Sequence, residues 1–174
     1  MMIKASLVGA TALLMIAAAP AEAARGPTDP EIAHIAYTAG TIDIAAAKQA
    51  LVKSRNASVR SFARLMIRDH QAVNVQALAL VGKLHVTPAA NPTSAALSTQ
   101  ASATMRRLAA LRGAAFDRAY VRNEAAYHGA VNSALRETLI PSADNGELKS
   151  LLQTGLTLFG EHQAHADQLA KKFK

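Results

Sequence analysis

Phe62-Ala63-Arg64-Leu65-Met66-Ile67-Arg68-Asp69-His70 lies at the centre of a long pattern whose apolar line is Val59, Phe62, Met66, Val73, Ala77, Val81 and Leu84. Steps of three and four residues put these side chains on one face of an α-helix. His70 falls on the same face, so whatever core this helix packs into must receive an imidazole.

Three further stretches read the same way. Thr28-Asp29-Pro30-Glu31 is a helix start, with a capping side chain, a proline in the first turn and a glutamate where a capping box needs it. The helix it opens is expected to run to about Val52, with Ile32, Ala36, Ala39, Asp43, Ala46 and Ala50 along one face. Asn56 is expected to cap the second helix, which continues to Leu84 or His85 before Thr87-Pro88 stops it. Pro88 to Ser94 reads as a loop, and Leu97 to Leu111 as a short connecting helix that ends at Gly113. The third long helix spans about Ala114 to Leu139, its line through Phe116, Tyr120, Val131 and Leu135 also taking in Glu124 and His128. Pro141 to Gly146 is a turn by composition, and Asp144 with Glu147 repeats the capping box. The last helix continues to the C-terminus through Leu148, Leu152, Gly155, Phe159, His162, Ala166, Leu169 and Phe173.

No stretch alternates with period two, so no sheet is expected. Hydrophobic residues make up 51% of the 174 and aromatics only 4%, so the apolar mass is Ala, Leu, Val and Ile, which helices carry well. The spacing predicts an all-α protein: an antiparallel four-helix bundle with a short extra helix in the connection between the second and third long helices.

Lys4, the apolar run Ala5 to Ala19, and Pro20-Ala21-Glu22-Ala23 form the pattern of a cleavable secretory signal peptide. The division expected is a signal peptide at 1–23, a linker at 24–29 and the helical domain at 30–174, in a periplasmic protein with no transmembrane segment after cleavage. With no cysteine, the fold has neither disulfides nor thiolate ligands. Removing residues 1–23 leaves 18 basic and 11 acidic residues, so the charge stays at +7. That charge admits association with an anionic envelope surface. The basic residues are scattered without an aromatic stacking set, so no nucleic-acid partner is expected, and the oligomeric state is left open.

The polar residues on the apolar lines share a depth. Helix midpoints fall near Thr41, Gln71, Tyr127 and Gly160, and Asp43, His70, His128 and His162 each lie within about two residues of them, one layer to within roughly 5 Å. Glu124 stands one turn from His128 on the same face. Buried groups of this kind need partners. The imidazoles His70, His128 and His162, with Asp43 or Glu124, can hold a divalent transition metal, since imidazole suits Zn, Cu and Fe. Alternatively they form a metal-free hydrogen-bonded layer that only fixes register among Ala-rich helices, as in a structural or envelope-stress interaction protein. The pattern is not the Glu plus two Glu-x-x-His pairs of a di-iron oxidase, because Glu124 and His128 are four apart and the first helix offers Asp. No nucleophile with a base and no phosphate loop is present, so the sequence leans against an enzyme. Asp69, about 100° around the helix from His70, is expected to be a local partner or a surface acid. His34, His85 and His165 are assigned to the surface.

The Phe62 to His70 block, Gly113-Ala114-Ala115-Phe116-Asp117-Arg118-Ala119-Tyr120-Val121 leading to His128, and Leu158-Phe159-Gly160-Glu161-His162 together resemble the exported bacterial proteins of the domain of unknown function 4142 family. The resemblance covers about Pro30 to Phe173. It implies a ferritin-like four-helix bundle and a periplasmic or envelope location, and it assigns no activity. His70, His128 and His162 match the family's histidine positions. Asp43 stands where members tend to have Glu, and Glu124 departs from the usual pattern.

Overall fold

Residues 25–173 are described by the computed structural model. The expected signal peptide, residues 1–23, lies outside them. All regular structure in the described residues is helical: α1 (Asp29–Lys53), α2 (Ala57–Lys83), α3 (Pro92–Ala110), α4 (Gly113–Ala134), a π-helical turn (Leu135–Leu139), α5 (Ile140–Ser142) and α6 (Gly146–Lys172). No helix among them is long and apolar enough to cross a membrane.

The capping signals at two starts act as the residues suggest. The Glu31 carboxylate accepts from both the Thr28 backbone N–H (2.8 Å) and its hydroxyl (2.7 Å). Asn56 Oδ1 accepts from the N–H groups of Ser58 (3.0 Å) and Val59 (3.2 Å), a cap worth about 1 kcal/mol. The Arg60 guanidinium donates to the carbonyls of Leu51 and Ser54, so the end of α1 is tied to the start of α2.

Other boundaries differ from the expectation for local reasons. α3 starts at Pro92 rather than Leu97, because Asn91 and Ser94 exchange side-chain and backbone hydrogen bonds (3.0 and 3.2 Å) and proline suits the first turn. Helix continues past Leu139 to Ser142. Pro141 has no N–H to give to the residue four back, and the helix widens just before it, with the Ile140 N–H bonded to Leu135 O. α6 is capped by Asn145, not Asp144: its Oδ1 accepts from Glu147 (2.9 Å) and Leu148 (3.0 Å). Asp144 and Asn145 instead donate their backbone N–H groups to Asp29, both at 2.9 Å, which clamps this turn to the start of α1.

α1 packs closely along α2, and α4 along α6; α2 also meets α6, while α1 and α4 approach each other less and α3 lies mainly on α1. The core divides in two. One apolar cluster gathers Ala46, Ala50, Val59, Phe62, Met66, Phe116, Tyr120 and Leu169. The other gathers Ile32, Ile35, Leu135, Leu139, Leu148, Leu152 and Phe159. The buried Asp43 on α1 and the buried Glu124 and His128 on α4 lie between the two sets in sequence, His70 follows Met66 on α2, and these residues form the site.

Candidate metal centre

Each long helix delivers at least one member of the buried layer: Asp43 from α1, His70 from α2, His128 and Glu124 from α4, and His162 from α6, none more than 3% exposed. The sequence placed these residues at one depth, and the structure brings them together. His70, His128 and His162 each offer a ligand atom within 4.8 Å of the others, and so do Asp43, Glu124 and His128.

The closest set is a triangle. His70 Nε2 lies 3.4 Å from His128 Nε2, and each of these nitrogens lies 3.4 Å from Asp43 Oδ2. Donors bound tetrahedrally at about 2.0–2.1 Å from an ion stand roughly 3.3–3.4 Å apart, so the three atoms match one face of such a site. His128 Nδ1 donates to the Glu124 backbone carbonyl at 3.0 Å. That fixes its proton on Nδ1 and leaves the Nε2 lone pair directed into the triangle. Phe159 stacks on the His70 ring at 4.7 Å between centroids and 12° between planes.

Asp69 belongs to the site through His162. Its Oδ2 lies 3.0 Å from His162 Nε2, its side chain is only 12% exposed, and its Oδ1 lies 2.6 Å from Arg68 Nε. It is not a surface acid. The turn of about 100° per residue that removes Asp69 from the core line is what aims it at α6, while His70 points inward. With Nε2–H given to Asp69, the Nδ1 lone pair of His162 is the donor left free, and that atom is buried without a hydrogen-bond partner.

His165 also departs from expectation. It is half-buried, its ring edge-on to Phe62 at 5.0 Å, because it directly precedes the buried Ala166 on α6. His34 is half-buried near Thr38, and His85 is exposed.

Burial dominates the electrostatics. It pushes the His70 imidazole down to about 3, with His128 and His162 adding to the fall. It pushes His128 down to about 4, partly offset by the bond to the Glu124 carbonyl, and lowers His162 as well, against the pull of Asp69. The rings are therefore neutral and able to act as ligands. Burial lifts the Asp43 carboxyl to about 7, with Glu124 offsetting part of the rise. It lifts Glu124 well above the carboxylate range, and the Asp43 charge lifts it further. For Asp69 burial acts upward, but the hydrogen bonds from Arg68 and His162 outweigh it and hold the carboxyl low.

The donor set fits a metal on an observation independent of spacing. His70 Nδ1 and His162 Nδ1 are buried with no hydrogen-bond partner, and the buried Asp43 and Glu124 carboxyls have little besides each other. A buried polar atom left without a partner costs on the order of 1–3 kcal/mol, so the layer is only partly satisfied by its own hydrogen bonds, such as His70 Nε2 with His128 Nε2 and Glu124 with Asp43.

In comparisons with known proteins, the family described as Domain of unknown function (DUF4142) matches residues 14–169. No curated protein and no solved structure matches the chain.

Proposed function

Because the chain belongs to the DUF4142 family, which carries no assigned activity, we propose its function from the site itself: an exported periplasmic protein that holds a divalent transition metal. The helices are taken as an antiparallel, ferritin-like four-helix bundle with α1, α2, α4 and α6 as its members. His70, His128 and Asp43 supply three donors, His162 a fourth through Nδ1, and Glu124 a reserve carboxylate beside His128. A bound Zn, Cu or Fe ion would supply a Lewis acid at mid-bundle. Export is supported by Lys4, the apolar run Ala5 to Ala19 and Ala21-Glu22-Ala23.

The observation that carries this reading is the 3.4 Å triangle of His70, His128 and Asp43. A purely register-setting layer would join all of these groups by hydrogen bonds, and the buried, unpartnered Nδ1 atoms of His70 and His162 speak against it. The test is elemental analysis and metal titration of the purified protein and of His70→Ala. About one ion per chain is expected, lost or greatly weakened in the variant. No stoichiometric binding of Zn, Cu or Fe under any loading condition would refute it.

A further inference from the structure

Next to the polar layer, towards the Ile32 and Leu148 end, the helices enclose a cavity of about 760 Å³. Its origin lies in how the helices pair. α1 and α4 approach each other less than their partners do, and α3 extends along α1 beside the gap. Small side chains widen it further: Ala36, Ala39 and Gly40 on α1, Ala77 on α2, and Ala130 and Ala134 on α4.

The cavity is elongated along α1. Its wall on α1 runs from Glu31 to Ala46, about 22 Å at ~1.5 Å per residue. Aliphatic residues such as Val73, Leu97, Val131 and Leu152 line it, whereas Asp43, His70 and His128 stand near its inner end. His162 is not part of the wall, so the cavity reaches the triangle from a side that His162 does not occupy. Exposed Thr93 and Gln100 on α3 and Ala130 and Ala134 on α4 form its rim. A mostly apolar space of this size that ends on a few convergent polar groups has the anatomy of a small-molecule site. Among the described residues that line it, only Tyr127 and Phe159 offer aromatic faces apart from the histidines, so the walls suit a flexible alkyl chain better than a flat ring system.

We propose that this cavity binds a single-chain fatty acid, its alkyl tail between α1 and α4 beneath α3 and its carboxyl group beside Asp43, His70 and His128. The tail's position follows from the cavity alone. The carboxyl's position rests on a metal being held there, because the cation is what lets a second carboxylate stand next to Asp43 and Glu124.

The test is saturation with a fluorescent fatty acid, cis-parinarate, followed by displacement with unlabelled acids from octanoate upward, on zinc-loaded and EDTA-treated protein. Zinc content is measured separately by elemental analysis. One saturable site per chain is expected. Affinity should rise with chain length, by up to about fourfold per methylene, and level off once the tail fills the cavity. Zinc should tighten binding by about tenfold. Ala36→Phe and Val131→Phe, each checked for helix content, should weaken the probe at least tenfold while zinc stoichiometry stays unchanged. Absence of saturable binding in both forms, or full binding in both folded variants, overturns the proposal. Equal affinity with and without zinc overturns the carboxyl placement. A protein that binds the probe but none of Zn, Cu or Fe under any loading condition supports the tail site and sinks both the carboxyl placement and the metal centre.

Discussion

His162 Nε2 lies 3.0 Å from Asp69 Oδ2, so a carboxylate on α2 holds the ring of a buried histidine on α6. A carboxylate that takes one imidazole N–H orients the ring and raises the basicity of the other nitrogen. Asp69→Asn keeps the shape and removes the charge. Zinc affinity, measured by competition with a chromophoric chelator, is expected to fall about 10- to 100-fold with helix content unchanged. Arg68→Ala should change it little, since the Arg68 side chain is 72% exposed and its pairing is weakened by solvent. Undiminished affinity in the Asp69 variant would remove it from the centre.

Metal affinity should depend on pH through Asp43 rather than through the histidines. Burial holds His70 and His128 at about 3 and about 4, so near neutrality both rings are already free of the competing proton. Asp43, lifted to about 7, is the carboxyl that must ionise as the ion binds. Zinc affinity is expected to rise with pH and to flatten above about 7, with a proton released per ion below that point. Calorimetry in buffers of different ionisation enthalpy counts that proton. In Asp43→Asn the Asp43 proton should disappear, and an unchanged proton count would assign it to another group.

The stability of the metal-free protein should carry two opposed pH trends. Asp43 is raised from 3.8 to about 7, so its share of stability is full below pH 3.8 and is lost as pH rises through about 7. His70 and His128 are lowered from 6.5 to about 3 and about 4, so their share is full above pH 6.5 and is lost as pH falls through those values. Between about pH 4 and 6.5 the trends oppose, and Glu124, also raised, works with Asp43. Asp43→Asn removes the opposing slope of one group. Relative to wild type it should gain stability as pH rises through this window, by up to about 1.4 kcal/mol per pH unit. Urea unfolding in EDTA at several pH values measures this, and parallel curves for the two proteins would contradict it.

Phe62 tests the separation of core from site. Its fully buried ring meets Tyr120 edge-on at 6.3 Å and His165 at 5.0 Å, within a cluster that touches the cavity at Ala46, while Phe62 itself does not line it. Phe62→Ala should cost about 3–5 kcal/mol in urea unfolding, with the folded fraction still binding metal in the wild-type ratio. Loss of metal from a folded variant would show that the layer depends on this cluster.

Much of the fold was legible because its signals are local. Thr28 with Glu31, and Asn56 with the two N–H groups that follow it, mark helix starts through contacts within three residues. Signals of the same range went unread at Asn91-Pro92 and at Asn145, where proline and a second candidate cap drew attention to a loop and to Asp144. The polar layer was legible for another reason. Rise per residue is constant, so counting from helix midpoints fixes depth, and Asp43, His70, His128 and His162 do meet.

Taken alone, the sequence determined helical content, the apolar faces and the level at which polar groups enter the core, because caps and periodicity act over one turn of helix. Only the tertiary structure decided how each helix is rotated about its axis and how far apart neighbouring helices stand. Those two quantities bring His70, His128 and Asp43 to mutual distances of 3.4 Å, turn Asp69 onto His162 and open the cavity between α1 and α4. They are set by packing between residues far apart in the chain, for which no local pattern exists.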